Sequence, residues 1–128
     1  MYLLDTDYLI NYLKGRIVYS ESLFFVSPEK LCTSVINVAE ILEGIYNYAD
    51  KKALNDFQNL LVAVKVIDIN YQIASVFSVE KIKLKKVGKL IDNFDLLVAS
   101  TCISKDLVLV TGNGKHFKRI KNLKIYNG

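Results

Sequence analysis

Three carboxylates stand in apolar surroundings: Asp5 closes the run Tyr2-Leu3-Leu4, Glu40 lies inside VINVAEILEGI, and Asp95 separates GKLIDNF from LLVASTCI. Removing a carboxylate from water costs free energy unless something pairs with it. Two carboxylates brought to about 4 Å repel by roughly 4 kcal/mol at an effective dielectric of 20. If the three meet, the cluster must therefore hold a proton or a hard cation. Oxygen-only ligands suit Mg²⁺ or Mn²⁺, and one His with two Cys disfavours zinc and copper. Each acid also has a plainer reading. Asp5 ends a strand and Asp7 caps a helix. Asn37, Glu40, Gly44 and Asn47 fall on one helical stripe that faces either water or a polar site. Asp92 and Asp95 fit the N-cap and N3 positions of a helix.

The elements that must position these acids follow from pattern and punctuation. Residues 2–5 read as a strand, 7–14 as a short helix ended by Gly15, and 20–28 as a mixed helical pattern stopped by Pro28. KLCTS is a short strand. SVINVAEILEGIYNYA is a helix with Ser34 as N-cap, and DKKALNDFQNLLVAV is another capped by Asp50. VKVIDI is a strand, YQIASVFSVEKIKLKKV a long helix ending near Gly88, and DNFDLLVASTCISKD a helix. LVLVT is a buried strand and LKIY a final edge strand. Strands alternating with helices imply an α/β fold with a mostly parallel sheet and helices on both faces. In such sheets ligands bind beyond the carboxyl ends of the strands. Asp5 and Asn113 both fall at that edge.

The 128 residues, 52% of them hydrophobic, suit one domain spanning 1–128 with a real core. Apolar runs stay too short to span a bilayer, and MYLLD lacks the basic start of a secretory leader, so a cytoplasmic protein with no membrane contact is expected. Cys32 and Cys102 are far from any CxxC spacing and read as small apolar fillers. A net charge of +4 suggests a polyanionic partner, with lysines at 81, 83, 85, 86 and 89 and again from 115 to 124. Lysines 81, 85 and 89 share one helical stripe.

Taken together, YLLDTDYLI, SVINVAEILEG, GKLIDNFDLLVAS and LVLVTGNGKHFKRI resemble a PIN domain, and more specifically the VapC toxins of toxin–antitoxin pairs. The resemblance covers the chain in order. It implies a metal-dependent endoribonuclease with Asp5, Glu40 and Asp95 as its acids and Mg²⁺ or Mn²⁺ as cofactor. Cleavage by metal-activated water would leave 5′-phosphate and 3′-hydroxyl ends. Thr6 matches the small hydroxyl beside the first acid, and Asp7 is an extra acid or a cap. Asn113 stands where a fourth acid is frequent. Lys89, Lys115, Lys118 and Arg119 are candidates to hold RNA phosphates. The implied partners are RNA, a cognate antitoxin and a second copy of the chain. A homodimer interface is expected at Ile45, Tyr46, Tyr48, Ala49, Leu54, Phe57, Leu60 and Leu61.

Two rival readings stand beside it. LLDTD also fits the nucleophile motif of haloacid-dehalogenase-like phosphatases, with Asp5 attacking and Asp7 as acid/base, but this gives Glu40 no task. Alternatively, the departure at Asn113 leaves a PIN-like scaffold that binds RNA or a partner without cutting. His116, in GNGKHF, reads as an exposed or Phe-stacked side chain rather than a general base.

Overall fold

In the computed structural model, residues 1–15 and 28–126 are described. The chain runs β1 (Tyr2–Leu4), α1 (Thr6–Leu13), a 3-10 turn (Pro28–Lys30), β2 (Leu31–Ser34), α2 (Val35–Asn47), α3 (Lys51–Ala63) and β3 (Lys65–Ile67). It continues through α4 (Tyr71–Lys86), α5 (Asn93–Lys105), β4 (Val108–Val110), α6 (Gly114–Phe117) and β5 (Lys124–Ile125). The helical pattern expected at 20–28 falls, up to residue 27, outside the described residues.

The five strands lie in the order β3-β2-β1-β4-β5, each neighbouring pair parallel, as expected. From β1 the chain steps outward to β2 and β3, then crosses back to place β4 on the other side of β1. The direction reverses between β1 and β4, and the crevice beyond their carboxyl ends is where such sheets bind ligands. Strand alternation splits the core in two. Leu3, Cys32 and Leu109 point to one face and meet Leu84, Leu96, Val98, Cys102 and Phe117 from α4, α5 and α6. Leu4 and Val110 point to the other and meet Tyr8, Leu9, Ile41, Ile45 and Phe57 from α1, α2 and α3. Cys32 and Cys102 are free and buried, and burial pushes the Cys32 thiol up to about 11.

Local punctuation sets the helix ends. Ser34 accepts from the Asn37 N–H and the Asn37 side chain bonds back to the Ser34 N–H, a reciprocal capping box. Asp50 accepts from Ala53 N and Asp92 from Phe94 N. Asn70 caps α4 through Ile73 N. Gly88, at φ +67, ends α4 in the left-handed turn that glycine tolerates, with Lys89 N bonded to Leu84 O. The helix therefore stops at Lys86, and Lys89 does not continue the stripe of Lys81 and Lys85.

The expected dimer residues are also redistributed. Phe57 and Ile45 are buried in the chain's own core, and Leu54, Leu60 and Leu61 pack against that cluster. A helix with an apolar surplus was covered from within, by α1 and the sheet. Of that set Tyr46, Tyr48 and Ala49 are exposed, while other exposed apolar side chains include Val79 and Ile82 on α4 and Val87, Leu90 and Phe94 after it.

Candidate active site

Asp5 leaves β1 still in the ladder, its N–H bonded to Val110 O at 2.9 Å, and its carbonyl accepts from Leu9 N to start α1. Its carboxylate is 7% exposed. One oxygen accepts from the Asn37 amide at 2.9 Å and the other from the Thr111 hydroxyl at 2.7 Å. Thr111 follows β4 directly, so the two strands at the reversal point supply an acid and the hydroxyl that orients it. Thr33 ties β2 to the same place, donating to Leu4 O at 2.8 Å. Burial holds the Asp5 carboxyl above the usual range; the donors from Thr111, Thr6 and Asn37 oppose this, and the Asp7 charge adds to it.

Glu40 joins from the second turn of α2. The helix begins at Val35, five residues earlier, so Glu40 lies within α2 and not at its N-terminal end. Its Oε1 accepts from the Thr6 hydroxyl at 2.8 Å, and Thr6 in turn accepts from the Asn37 amide at 3.0 Å. Glu40 is half-buried, so the first two members of its stripe, Asn37 and Glu40, face this site, while Gly44 and Asn47 are exposed.

Asp95 is the third residue of α5. Because Asp92 makes the cap, the Asp95 carboxylate is free of that task. Burial raises it to about 6, and the charges of Asp5, Asp92 and Glu40 push the same way against a smaller opposing effect of His116. The three acids therefore share one electrostatic neighbourhood, although they come from three segments. Among the described residues none of them is ion-paired with a Lys or Arg.

Asp7 does something different. One oxygen accepts from Tyr8 N and the other from Gly112 N, both at 2.8 Å. It staples the first turn of α1 to the loop after β4, with both oxygens spent on backbone groups. This gives Asp7 a structural task that the phosphatase reading does not supply. Asn113 precedes α6, its N–H donating to Thr111 and its amide 3.4 Å from the exposed His116 ring. Lys89, Lys115, Lys118 and Arg119 are all exposed, and Arg119 donates to Leu90 O at 3.0 Å.

Two residues that hold the site were not singled out as site residues from sequence. Asn37 appears there only as a member of a stripe, and Thr111 only as the end of a strand. A polar residue at N3 of an otherwise apolar helix was the available signal for Asn37.

The donor set is oxygen throughout, which fits a hard divalent cation. Among the described residues no three Asp, Glu, His or Cys side chains are gathered tightly enough to ligate one ion together. That still suits Mg²⁺, which keeps several waters and takes one or two carboxylates.

An acid cluster at the reversal point of a five-stranded parallel sheet defines an α/β domain with an edge site suited to a hard cation. The PIN domain family model matches residues 2–123. The chain is 38% identical over 127 residues to Ribonuclease VapC1 of Methanocaldococcus jannaschii, covering 98% of this chain and 86% of that one. Among solved structures it is similar to VapBC2 from Rickettsia felis bound to a promoter DNA fragment, with TM-score 0.90, 26% identity, and 99% and 98% of the two chains covered. VapBC-1 from nontypeable Haemophilus influenzae aligns with TM-score 0.87 and 31% identity over 98% and 96%. The chain belongs to the PIN domain family, among its VapC-like members.

Proposed function

We infer that this chain is a metal-dependent endoribonuclease, the toxin of a toxin–antitoxin pair, acting in the cytoplasm on RNA. The observation that carries the chemistry is the group of three acids, unpaired with Lys or Arg among the described residues, at the carboxyl edge between β1 and β4. Of Asp5, Glu40 and Asp95, one or two would bind Mg²⁺ or Mn²⁺ directly and the rest through its waters. Such a cation supplies charge to a phosphodiester and activates water for in-line attack. Thr111 and Asn37 orient Asp5, and Thr6 orients Glu40. Asp7 keeps the loop bearing Thr111 and Asn113 against α1. Exposed Lys89, Lys115 and Lys118 supply positive charge for flanking phosphates, while Arg119 braces the loop before α5.

Solved neighbours being toxin–antitoxin complexes support an antitoxin partner. A groove of about 470 Å³, lined by Ile10, Leu13, Ile41, Gly44 and Ile45 and also by Glu40, offers such a partner a mostly apolar seat that includes one of the acids. A homodimer is part of the reading, with its apolar face on α4 and the segment after it; a monomer by light scattering at micromolar concentration removes that part.

The test is cleavage of RNA by purified chain with Mg²⁺ or Mn²⁺, with chelator, and after addition of the antitoxin. Cleavage that needs the metal, stops with antitoxin and leaves 5′-phosphate ends is expected. Cleavage that persists in chelator, or 2′,3′-cyclic phosphate ends, overturns the metal mechanism. A folded chain that binds RNA without cutting it under any of these conditions is the scaffold instead.

A further inference from the structure

We propose that Asn37 is a positioning residue of the acid site: one buried amide sets the orientation of Asp5 and, through the Thr6 hydroxyl, that of Glu40. The inference rests on the nuclease reading above and assigns this residue a role beyond capping α2.

Asn37 is fully buried, and each of its polar groups is used. Its N–H donates to the Ser34 hydroxyl at 3.2 Å. Its carbonyl oxygen accepts from the Ser34 hydroxyl at 2.6 Å and the Ser34 N–H at 3.2 Å. Its amide nitrogen donates to Asp5 at 2.9 Å and to Thr6 at 3.0 Å. The amide cannot be turned over. A backbone N–H on one side requires the oxygen there, and a carboxylate on the other requires the NH₂. The side chain therefore divides its work: its oxygen serves the helix end, and its nitrogen serves the acids.

The consequence is a relay with one fixed end. The capping box locks Asn37 to the start of α2, so both NH₂ hydrogens have set directions. One directs an Asp5 oxygen, while Thr111 directs the other from β4. The second NH₂ hydrogen occupies a Thr6 lone pair, which turns the Thr6 proton toward Glu40. A shorter or apolar side chain at 37 leaves Asp5 held by Thr111 and by backbone, and releases Thr6. Partners that orient ligating carboxylates typically matter 10–100-fold in metal affinity or activity.

A residue that merely caps α2 predicts otherwise: Ser34→Ala removes the cap hydroxyl but keeps the Ser34 N–H bond to the Asn37 oxygen, so the amide is loosened yet still faces the acids. The variants are Asn37→Ala, Asn37→Ser and Ser34→Ala, with Asn37→Ser carrying the test if the alanine variant does not fold. Each is titrated with Mg²⁺ by thermal melting, and cleavage is resolved into kcat and KM for RNA. We expect both Asn37 variants to need on the order of tenfold more Mg²⁺ for half-maximal stabilisation and to lose kcat with little change in KM. Ser34→Ala should melt lower and raise the Mg²⁺ midpoint less than either Asn37 variant; a shift as large as theirs would make the effect one of helix capping and overturn the positioning role. Equal Mg²⁺ midpoints and kcat in wild type and folded Asn37→Ser overturn the positioning role. If Mg²⁺ fails to stabilise wild type at all, the metal reading falls first, and this inference falls with it.

Discussion

Two carboxylates of this chain are buried to the same degree and treated in opposite ways. Glu80, on α4, is 6% exposed, and Asp5, at the end of β1, is 7% exposed. Glu80 accepts from the Asn122 amide at 3.0 Å and has the Lys83 ammonium 3.6 Å away. Asp5 accepts from neutral donors only, and its charged neighbours are acids. Glu80 has a cation within the fold and joins α4 to the turn before β5. Asp5 is oriented but not neutralised, and its surroundings disfavour its charged form. A buried carboxylate matched by a cation is a structural tie; one placed among other acids is suited to receive a cation from outside.

The largest expected effect breaks the comparison at Asp5. Asp5→Asn keeps the shape and should lose a hundredfold or more in cleavage, since metal charge stabilisation is worth several kcal/mol. It should lose most of the Mg²⁺-dependent gain in melting temperature and, in chelator at pH 8, melt above wild type. Equal stabilisation of mutant and wild type by Mg²⁺ would show that Asp5 is not part of a cation site.

Asp95 sharpens the comparison through pH. Its folded value is about 6 against 3.8 for the free group. Between those values the folded state binds more protons than the unfolded state, so the contribution is fully present below 3.8 and is lost as pH rises through 6. In chelator, wild type should therefore lose more melting temperature from pH 4 to pH 7 than Asp95→Asn. Parallel profiles would show that neither burial nor the neighbouring acids raises the Asp95 carboxyl.

At Glu80 the expected effect is on stability alone. Glu80→Ala leaves Asn122 without its acceptor and should cost about 1–3 kcal/mol, with kcat and the Mg²⁺ midpoint unchanged; denaturant unfolding and the cleavage assay check both. A change in the Mg²⁺ midpoint would erase the distinction drawn here. Smallest of all is Ala49, which lies outside both regions. It sits at φ +50 after α2, with Asp50 N bonded to Ile45 O. Ala49→Gly should stabilise by about 0.5–1 kcal/mol without altering cleavage, again read from denaturant unfolding.

The contrast also explains what could be read without the fold. Ser34, Asp50 and Asp92 act on backbone two or three residues away, so their caps were legible from local chemistry. The alternation that sends Leu3 and Leu4 to opposite faces was legible for the same reason, as was the assignment of Asp5 to the carboxyl edge. The end of α4 was legible at Gly88, yet the Lys81, Lys85 and Lys89 stripe overran it. Ile45, Leu54, Phe57, Leu60 and Leu61, expected at a dimer face, instead serve the chain's own core, because an apolar surplus on α2 and α3 looks the same in sequence whether it is covered by a second chain or by α1.

By itself, the sequence determined the alternation of strands and helices, the caps that end them and the three acids that had to be accounted for. These rest on interactions within a turn or on the period of a strand, and they need no knowledge of which strands become neighbours. The tertiary structure alone decided that β4 returns beside β1, which brings Thr111 to Asp5 across 106 residues and Gly112 to Asp7 across 105. It also decided that Asn37 faces inward to Asp5 rather than out to water. Those contacts depend on strand order and helix rotation, quantities set by how the whole core packs, and no local spacing encodes them.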